Sequence, residues 1–428
     1  MKVLILGSGG REHALAWKLS SEIGRANVFI ATGNGGTAQC GTNVDISIKD
    51  FPAIADFCKT NSIDIVLPGS EDPIALGVRD YLEEKLDTDV FVVSPDKLAA
   101  ELEGSKSFAK EFMMRHNIPT AAYGTFTKDT YSDACEFLDT LKAPYVLKAD
   151  GLAAGKGVLI IDDLSQAKAD LKAMFDGKFG EASSKVVIEE FLDGIEFSVF
   201  ALTDGENYVI LPEAKDYKRI GEGDSGLNTG GMGAVSPVPF YKGDIERKTI
   251  EEIIEPTIQG FAKDGYNYRG FVFFGLINCL GQPKVIEYNV RMGDPETEVV
   301  IPRLNESLSS LIEDIRSGRL KSGKAQVKSD YCTTVFAVSG GYPEGYKKGL
   351  KINFKTAEDT LFHAGTKIQG EDVLTSGGRV LAATAFGSSI EEALSKSYAM
   401  METFEFEDRY FRKDIGQDLL KLQNNGSI

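Results

Sequence analysis

Short apolar strands alternate with amphipathic helices over the first hundred or so residues of this chain. The segments "KVLILG", "NVFIAT", "IDIVLPG" and "VFVVSP" have the length and composition of buried strands, and "REHALAWKLSSE" and "FPAIADFCKTN" lie between them as helices. Neighbouring parallel strands require such a crossover, and the crossover is right-handed. The alternation therefore predicts parallel β-α-β units at the start of the chain.

The spacing of the signals changes after this region. "EGSKSFAKEFMMRHNIP" predicts a helix that ends near Asn117, because Pro119 follows. A compact strand, glycine loop and strand pattern occupies about 123–190, and a larger α+β region follows it. Strand signals resume in "CTTVFAVSGGYP" and "RVLAATAFG". We expect three domains, over residues 1–102, 103–325 and 326–428.

Composition restricts the class of protein. The formal charge of −17 argues against a nucleic-acid or anionic-membrane partner, which requires a basic surface. The five cysteines are scattered without a CxxC pair and there are three histidines, so a zinc site is not expected and a reducing compartment fits. The longest apolar stretch, "FVFFGLINCL", is about half a membrane span. We expect a cytoplasmic protein with small-molecule substrates.

Two loops of the N-terminal region follow predicted strands. "GSGGREHA" matches only part of a dinucleotide fingerprint, since Glu12 replaces the third glycine, and "NVFIAT" ends without the ribose-binding acid. The N–H groups of Gly9, Gly10 and Arg11 would still offer a phosphate or carboxylate seat at a helix N-terminus; the alternative is a tight packing turn. In "LPGSEDP", Glu71 could receive a hydroxyl or amine, or cap the next helix.

"KADGLAAGKGV" is not a Walker A loop, because Gly157 replaces its Ser or Thr and a strand follows at once. It predicts a glycine-rich β-hairpin loop, in which N–H groups and Lys156 could cover a polyphosphate while Lys148 supplies a second cation; a plain hairpin tip is the alternative. In "VVIEEFLDGIEFSV", the main chain could bind an adenine and Glu196 a ribose, or the segment is a simple edge strand. "AKDYKRIGEGDSGLNTGGMGA" predicts a functional polar loop of about 20 residues, with a basic run that includes Lys218.

"KVIEYNVRMGDPETEVV" begins as a strand and ends in a polar loop. Strict alternation would place Val285, Glu287, Asn289 and Arg291 on one face and Ile286, Tyr288 and Val290 on the other. Glu287 and Asn289 are oxygen ligands of the kind that Mg²⁺ accepts beside phosphate oxygens. Arg291 could bind a substrate carboxylate with a bidentate fork. The alternative is a half-solvated edge strand.

This chain order of lysines, glycine loop, acidic linker and Glu-x-Asn-x-Arg resembles the ATP-grasp superfamily. The blocks "GREHALAWKL", "GNGGTA", "ADGLAAGKGV", "DYKRIGEGDSGLNTGGMGA", "IEYNVRMGDPETEVV", "FHAGT" and "YFRKDIG" are similar to the phosphoribosylamine–glycine ligase family, from residue 1 to about 416. The resemblance implies an α/β and α+β multidomain protein, with a Rossmann-like N-terminal domain, an ATP-grasp core with a mobile lid over about 123–190, and a small C-terminal domain.

The resemblance also implies ATP-dependent ligation of glycine to 5-phosphoribosylamine through glycyl phosphate, with Mg²⁺ or Mn²⁺, by a monomer or weak dimer. The implied ATP-binding residues are Lys106, Lys148, Gly155, Lys156, Gly157, Glu189, Leu192 and Glu196. The implied substrate-binding residues are Gly9, Gly10, Arg11, Glu71, Asp216, Lys218 and Arg291. The implied metal ligands are Glu287 and Asn289, and the implied catalytic residues are Arg291, Lys156 and Asp294.

Two features depart from the pattern of the family. "GFVFFGL" lacks the second metal-binding acid that many ATP-grasp enzymes carry on the preceding strand, and "KDYKR" lacks a His beside its Asp. Another ATP-grasp purine-pathway ligase or carboxylase, and a nucleotide-binding regulatory protein without turnover, remain as alternatives.

Overall fold

A parallel sheet forms the N-terminal part of the chain in the computed structural model, which describes residues 1–86, 89–151, 157–356 and 359–424. Its strands are β1 (Val3–Gly7), β2 (Val28–Thr32), β3 (Thr42–Val44), β4 (Ile65–Pro68) and β5 (Phe91–Val92). The helices between them are α1 (Gly10–Ile23), α2 (Thr37–Cys40), α3 (Phe51–Asn61), α4 (Glu71–Ala75) and α5 (Val78–Lys85), with a 3-10 turn at Arg25–Asn27. The strands pair in parallel in the order β3-β2-β1-β4-β5, so the predicted β-α-β units are confirmed.

An antiparallel sheet occupies the segment that the sequence assigned to a lid. The elements here are α6 (Glu101–Gly104), α7 (Lys106–Arg115), β6 (Tyr123–Thr127), α8 (Tyr131–Thr140), β7 (Tyr145–Ala149), β8 (Val158–Ile161), α9 (Leu164–Phe175) and β9 (Lys185–Glu189), with 3-10 turns at Lys128–Thr130 and Gly180–Ser183. The strands pair in the order β6-β9-β7-β8 and share an apolar core with α8 and α9. β7 and β8 form the predicted hairpin. Its residues 152–156, which include Gly155 and Lys156, lie outside the described residues.

A large mixed sheet contains the rest of the predicted core and continues towards the C-terminus. The first elements of this region are β10 (Ile195–Thr203), β11 (Tyr208–Asp216), β12 (Arg219–Gly221), β13 (Ser225–Asn228), β14 (Gly233–Ser236), α10 (Asp244–Lys248), a π-helix (Thr249–Ile254), α11 (Glu255–Asp264), β15 (Gly270–Cys279), β16 (Gln282–Asn289), α12 (Thr297–Arg303) and α13 (Leu308–Arg316). The later elements are β17 (Gly323–Lys324), β18 (Tyr331–Val338), β19 (Asn353–Phe354), β20 (Leu361–His363), β21 (Thr366–Gln369), β22 (Asp372–Thr375), β23 (Arg379–Gly387), α14 (Ile390–Met401), β24 (Phe404–Glu405) and α15 (Gln417–Asn424).

The strands of this sheet pair across the domain boundary expected near residue 326. Their order is β16-β15-β10-β11-β14-β18-β23-β20, with β17 beside β11. β14 and β18 are antiparallel neighbours, with Ser236 opposite Cys332. The C-terminal segment therefore extends the sheet that carries the predicted metal ligands, and one apolar cluster runs through both parts.

The structure corrects two local predictions. Within the segment expected to be a polar loop over 214–234, β12 and β13 form a short hairpin. Strict alternation along β16 is also wrong, because Glu287 faces Gly275 while Val285 faces Leu276, which leaves Ile286 as an extra residue in a β-bulge. The bulge turns Val285 into the apolar cluster that holds Tyr288 and Val290.

The N-terminal sheet is joined to the large sheet through α1, which packs along α12 and reaches the start of α13. Lys18 Nζ donates to the Leu304 carbonyl at 2.8 Å, and Glu22 accepts the Leu308 N–H at 3.0 Å. These contacts bring the loops after β1 and β4 beside the loop after β16. In the part of the chain that the structure describes, no helix has the length and apolar character that crossing a membrane requires.

Candidate functional site

Three predicted ATP-binding residues meet at the base of the lid sheet. Lys148, at the end of β7, lies 3.0 Å from Glu189 Oε2 on β9, and Lys110 of α7 lies 3.2 Å from the same oxygen. Lys106 opens α7 nearby, and the pKa of its amine is lowered because burial outweighs the attraction of Glu287. Lys110 was not predicted as a site residue, because in the sequence it reads as an ordinary polar position of an amphipathic helix.

Lys106, Lys110, Lys148 and Glu189 form a buried lysine group, in which positive and negative side chains are unequal in number. Burial lowers the pKa of Lys110 to about 8 in spite of Glu189. Glu189 Oε1 has no hydrogen-bond partner in the described structure. The three lysines Lys106, Lys110 and Lys148 outnumber the one acid between them, Glu189, and a polyphosphate site requires such an excess of cationic side chains.

The glycine-rich loop starts from a fixed point on α7. Asp150 accepts hydrogen bonds from the Ser107 N–H at 2.6 Å and from the Ser105 hydroxyl at 3.0 Å. Gly157, at the other end of the loop, accepts a backbone hydrogen bond of 2.7 Å from Ala149. Asp150 and Gly157, the described residues at the two ends of the loop, are thus held near the start of α7. Leu192 is half-buried in the linker between β9 and β10.

Glu287 and Asn289 lie at the end of β16, next to these lysines. The strand partner of Glu287 is Gly275. A Cβ atom on Gly275 would lie 3.0 Å from Glu287 Cγ, so glycine at this position leaves room for the Glu287 side chain. The Glu287 carboxylate makes no hydrogen bond to another described residue, while its charge acts on Lys106 and Lys218. The Asn289 amide is best oriented with its NH₂ group 3.1 Å from Glu103 Oε1, which turns its oxygen away from that acid.

The oxygen atoms of Glu287 and Asn289 suit a hard divalent cation whose other ligands are phosphate oxygens or water. They supply one carboxylate and one amide oxygen, and the described residues contain no group of three or more acidic, histidine or cysteine side chains arranged to hold a metal. β15 adds no acid, as the sequence indicated. A cation here would need a phosphorylated ligand to complete its coordination.

Lys218 connects the metal-ligand strand to the predicted substrate residues. Its amine lies 2.9 Å from Asp216 Oδ1 and 3.1 Å from Glu196 Oε2. Burial opposes its charge, but Asp216 and Glu196 raise the pKa of Lys218 above its usual value. Lys218 also lowers the pKa of Glu196. Glu196 is therefore held as an anion at the edge of the lysine group.

Arg291 is held in place by acids from two other segments. Its Nη2 lies 2.7 Å from Glu103 Oε1, and its Nε lies 3.9 Å from Glu71 Oε2. Glu103 also accepts the Val290 N–H at 2.9 Å, so it anchors the end of β16. The Arg291 Nε has no hydrogen-bond partner in the described structure. Glu103 was missed, because the two glutamates of "ELEGSKSF" read as helix-surface residues.

The glycine turn after β1 faces the loop after β16. The Gly9 N–H donates to Glu12 Oε2 at 2.5 Å, so this group is already engaged, and Arg11 Nε lies 2.7 Å from Glu12 Oε1. Arg11 Nη1 donates to the Met292 carbonyl at 3.2 Å. Burial alone would raise the pKa of Glu71, but Arg291 and Arg11 lower it. Arg11 and Glu71, which were predicted to bind the phosphoribosyl substrate, thus form one charged group with Arg291.

The "GDPETE" block contributes buried acids. Glu296 accepts a hydrogen bond of 3.2 Å from the Ser198 hydroxyl, and burial together with Asp216 raises the pKa of Glu296 to about 7, against Lys218 and Arg291. Asp294 lies 2.8 Å from Arg379 Nη2. Arg379 also donates to the carbonyls of Asp294 at 2.9 Å and Gly230 at 2.7 Å. No sequence motif pointed to Arg379, which is far along the chain.

Two further motifs meet where the N-terminal and C-terminal parts touch. Asn34 of "GNGGTA" donates to the carbonyls of His363 at 2.7 Å and Ser8 at 2.9 Å. His363 belongs to "FHAGT", and its N–H donates to His13 Nδ1 at 2.7 Å. These blocks hold the glycine turn in place and carry no charge towards the site.

Three domains of one enzyme family match most of this chain. Residues 1–103 match the N domain of phosphoribosylglycinamide synthetase, residues 104–297 its ATP-grasp (A) domain and residues 332–418 its C domain. The chain is 44% identical over 430 residues to the phosphoribosylamine–glycine ligase of Chlorobaculum tepidum, covering 98% of this chain and 100% of that protein. It is also 44% identical to the bifunctional purine biosynthetic protein PUR2,5 of Pichia angusta, of which it spans 55%.

A solved structure agrees with these sequence matches. The crystal structure of phosphoribosylamine–glycine ligase from Thermotoga maritima superposes with a TM-score of 0.84 and 36% identity, over 97% of this chain and 100% of that one. The expected multidomain fold with an ATP-grasp core is thereby confirmed. The chain belongs to the phosphoribosylglycinamide synthetase family.

Proposed function

We propose that this chain ligates glycine to 5-phosphoribosylamine and cleaves ATP to ADP and phosphate, giving glycinamide ribonucleotide. The observation that carries the proposal is that the charge of Glu287 acts both on Lys106, in the buried lysine group, and on Lys218. Asn289 and Arg291 follow Glu287 two and four residues along the chain. A phosphate site and a carboxylate site are therefore contiguous. The names of the full-length relatives support the same reaction.

The first step activates glycine. A carboxylate resists attack by an amine because an oxide cannot leave, whereas phosphorylation by ATP gives glycyl phosphate, from which phosphate leaves readily. Lys106, Lys148 and Lys156 would offset charge on the transferred phosphoryl group. Glu287 and Asn289 would hold a divalent cation, Mg²⁺ or Mn²⁺, which supplies further charge neutralisation when bound.

Arg291 would orient the glycine carboxylate. Its Nη2 is engaged by Glu103 and its Nη1 donates to Met292, while its buried Nε has no hydrogen-bond partner in the described structure. A buried donor without a partner is costly, and a carboxylate would satisfy it. The contacts of Arg291 thus hold the guanidinium still and leave its Nε–H, among its five N–H groups, without a partner in the described structure.

The second step is attack by the amine of phosphoribosylamine on glycyl phosphate. The phosphate of this substrate would bind at Gly10 and Arg11, and Glu71, Asp216, Lys218 and Asp294 would surround its sugar and amine. The attack depends mainly on proximity, since the acyl phosphate is already reactive. The lid over about 123–190 would exclude the water that hydrolyses this intermediate.

The proposed organisation keeps the domains at 1–102, 103–325 and 326–428, which the limits of the matched family domains support. We further propose a cytoplasmic protein that is a monomer or weak dimer. Light scattering after gel filtration tests the last point.

The test of the function is an omission assay for ADP. ADP should form only when glycine, phosphoribosylamine, ATP and a divalent cation are all present. Bicarbonate replacing glycine with equal turnover would favour an ATP-grasp carboxylase instead. ATP binding without ADP release in the complete mixture would favour a regulatory protein.

A further inference from the structure

Two carboxyl groups meet behind the proposed active site without a donor between them. Glu298 is 0% exposed, and neither of its carboxyl oxygens has a hydrogen-bond partner among the described residues. The same holds for Asp294 Oδ1, because Arg379 Nη2 lies 2.8 Å away but does not point its N–H at that oxygen. The Asp294 and Glu298 side chains are within hydrogen-bonding reach of each other.

Glu298 lies against the start of α1 and an aromatic ring of the large sheet. An added Cβ on Gly10 would lie 2.3 Å from Glu298 Oε1, so the carboxyl group sits directly against the start of α1. The same position is 3.3 Å from the ring of Phe336 on β18. Among the charged side chains on the elements that pack against Glu298, Asp294 and Arg379 influence its ionisation. Arg11 of α1 influences the ionisation of Asp294. On β11, Lys215 and Asp216 pair elsewhere, with Asp418 and Lys218.

Two carboxylates in contact cannot both stay ionised in a buried site. One shared proton would join one oxygen of each carboxyl group, and so would satisfy two of the three oxygens that have no partner. Burial and then the charge of Asp294 raise the pKa of Glu298 well above its usual value, against Arg379. Burial also acts on Asp294, but Arg379 and Arg11 lower its pKa below the usual value. The proton therefore belongs to Glu298.

We propose that Glu298 is a positioning residue, which stays protonated in the working enzyme and donates a hydrogen bond to Asp294. This bond keeps Asp294 ionised beside the turn formed by Gly9, Gly10 and Arg11. Asp294 Oδ2 lies 3.5 Å from the Arg11 N–H and would lie 3.0 Å from a Cβ on Gly9, so it borders that turn directly. The inference rests on the proposed function, because it assigns the amine of phosphoribosylamine to Asp294.

Kinetics of Glu298→Gln and Glu298→Ala separate this role from simple packing. Gln keeps an N–H donor of similar shape, so we expect kcat/KM for phosphoribosylamine to fall less than about threefold, and Ala to lower it about tenfold or more, with the KM for ATP little changed. In the parent, kcat/KM should fall at alkaline pH as Glu298 loses its proton. Glu298→Gln should lack this alkaline fall. A tenfold loss in Glu298→Gln would overturn the proposal, because it would show that the ionised carboxylate is needed.

An infrared difference spectrum tests the proton directly. The parent minus Glu298→Gln at neutral pH should show the C=O band of a protonated carboxylic acid, and absence of the band would overturn the assignment whether or not Glu298→Ala folds. Asp294→Asn serves as the second arm. If it turns over phosphoribosylamine like the parent, Asp294 does not serve the amine and the positioning role fails, while the infrared result still reports on Glu298. If the ADP assay fails but the band is present, the proposed function alone is at fault.

Discussion

His13 Nδ1 accepts a hydrogen bond of 2.7 Å from the backbone N–H of His363. The bond joins α1 to the start of the C-terminal hairpin region, and both rings are buried. Because the accepting nitrogen must be unprotonated, this contact exists only while His13 is neutral. The junction that holds the glycine turn therefore depends on pH.

We expect the free energy of unfolding to fall as the pH drops from about 6.5 towards 4. Burial and the neighbouring His363 lower the pKa of His13 well below its usual value, and burial lowers the pKa of His363 to about 4. Below about pH 6.5 the unfolded chain binds protons that the folded chain does not, so stability falls with pH, by on the order of 1–2 kcal/mol per histidine down to about pH 5. Urea unfolding at several pH values measures this slope. His363→Gln should flatten it, and an unchanged slope would contradict the interpretation.

Glu287→Gln and Asn289→Ala should nearly abolish turnover without unfolding the protein. The two side chains are the metal ligands proposed for this site, and the described residues around them provide no acidic cluster to replace either one. Turnover across a Mg²⁺ titration, with melting temperatures in parallel, gives the result. Glu391→Gln, an exposed position of α14, is the matched control. If either site variant were as active as the parent, the assignment of that residue as a metal ligand would be wrong.

Lys156→Ala should raise the KM for ATP or lower kcat, with little change in melting temperature. The expectation follows from the sequence of a glycine-rich hairpin tip, which contributes little packing. Lys172→Ala, on the exposed face of α9, controls for general loss of positive charge in the lid. A marked loss of stability with normal kinetics would instead show that the loop is a structural turn.

Arg11→Ala should weaken binding of phosphoribosylamine by about 1–3 kcal/mol, the cost of a lost charged hydrogen bond, and leave ATP binding unchanged. Separate titrations of the two ligands measure this, with Arg25→Ala, at an exposed position in the 3-10 turn after α1, as the control. Gly10→Val should also weaken phosphoribosylamine binding, but it would push a side chain into Glu298 and so reduce stability as well. If ATP affinity falls while the phosphoribosyl ligand binds normally, the two sites have been exchanged.

The sequence predicted those parts of the site that depend on local pattern. Strand and helix alternation located β1 and the glycine turn, and Glu287 and Asn289 could be paired because they are two residues apart on one strand. The β-bulge at Ile286 could not be foreseen, since it arises from the pairing of β16 with β15. It moves Val285 to the apolar face while Glu287 keeps its place opposite Gly275.

Other residues were missed because their partners are far away in the chain. Lys110 and Glu103 lie on helices where charged residues usually face solvent, and only the folded chain shows that each is buried against an opposite charge. Arg379 reaches Asp294 and Gly230 from the C-terminal segment. Such contacts depend on tertiary packing, which a single sequence does not reveal.

The most direct test of the proposed reaction follows one oxygen atom of glycine. If the carboxylate attacks ATP to form glycyl phosphate, one carboxylate oxygen leaves with the phosphate when the amine attacks. Glycine labelled with oxygen-18 in its carboxylate should therefore give inorganic phosphate that carries one labelled oxygen, as measured by mass spectrometry, in an amount equal to the ADP formed. Unlabelled phosphate formed together with the ligated product would contradict the reaction through glycyl phosphate.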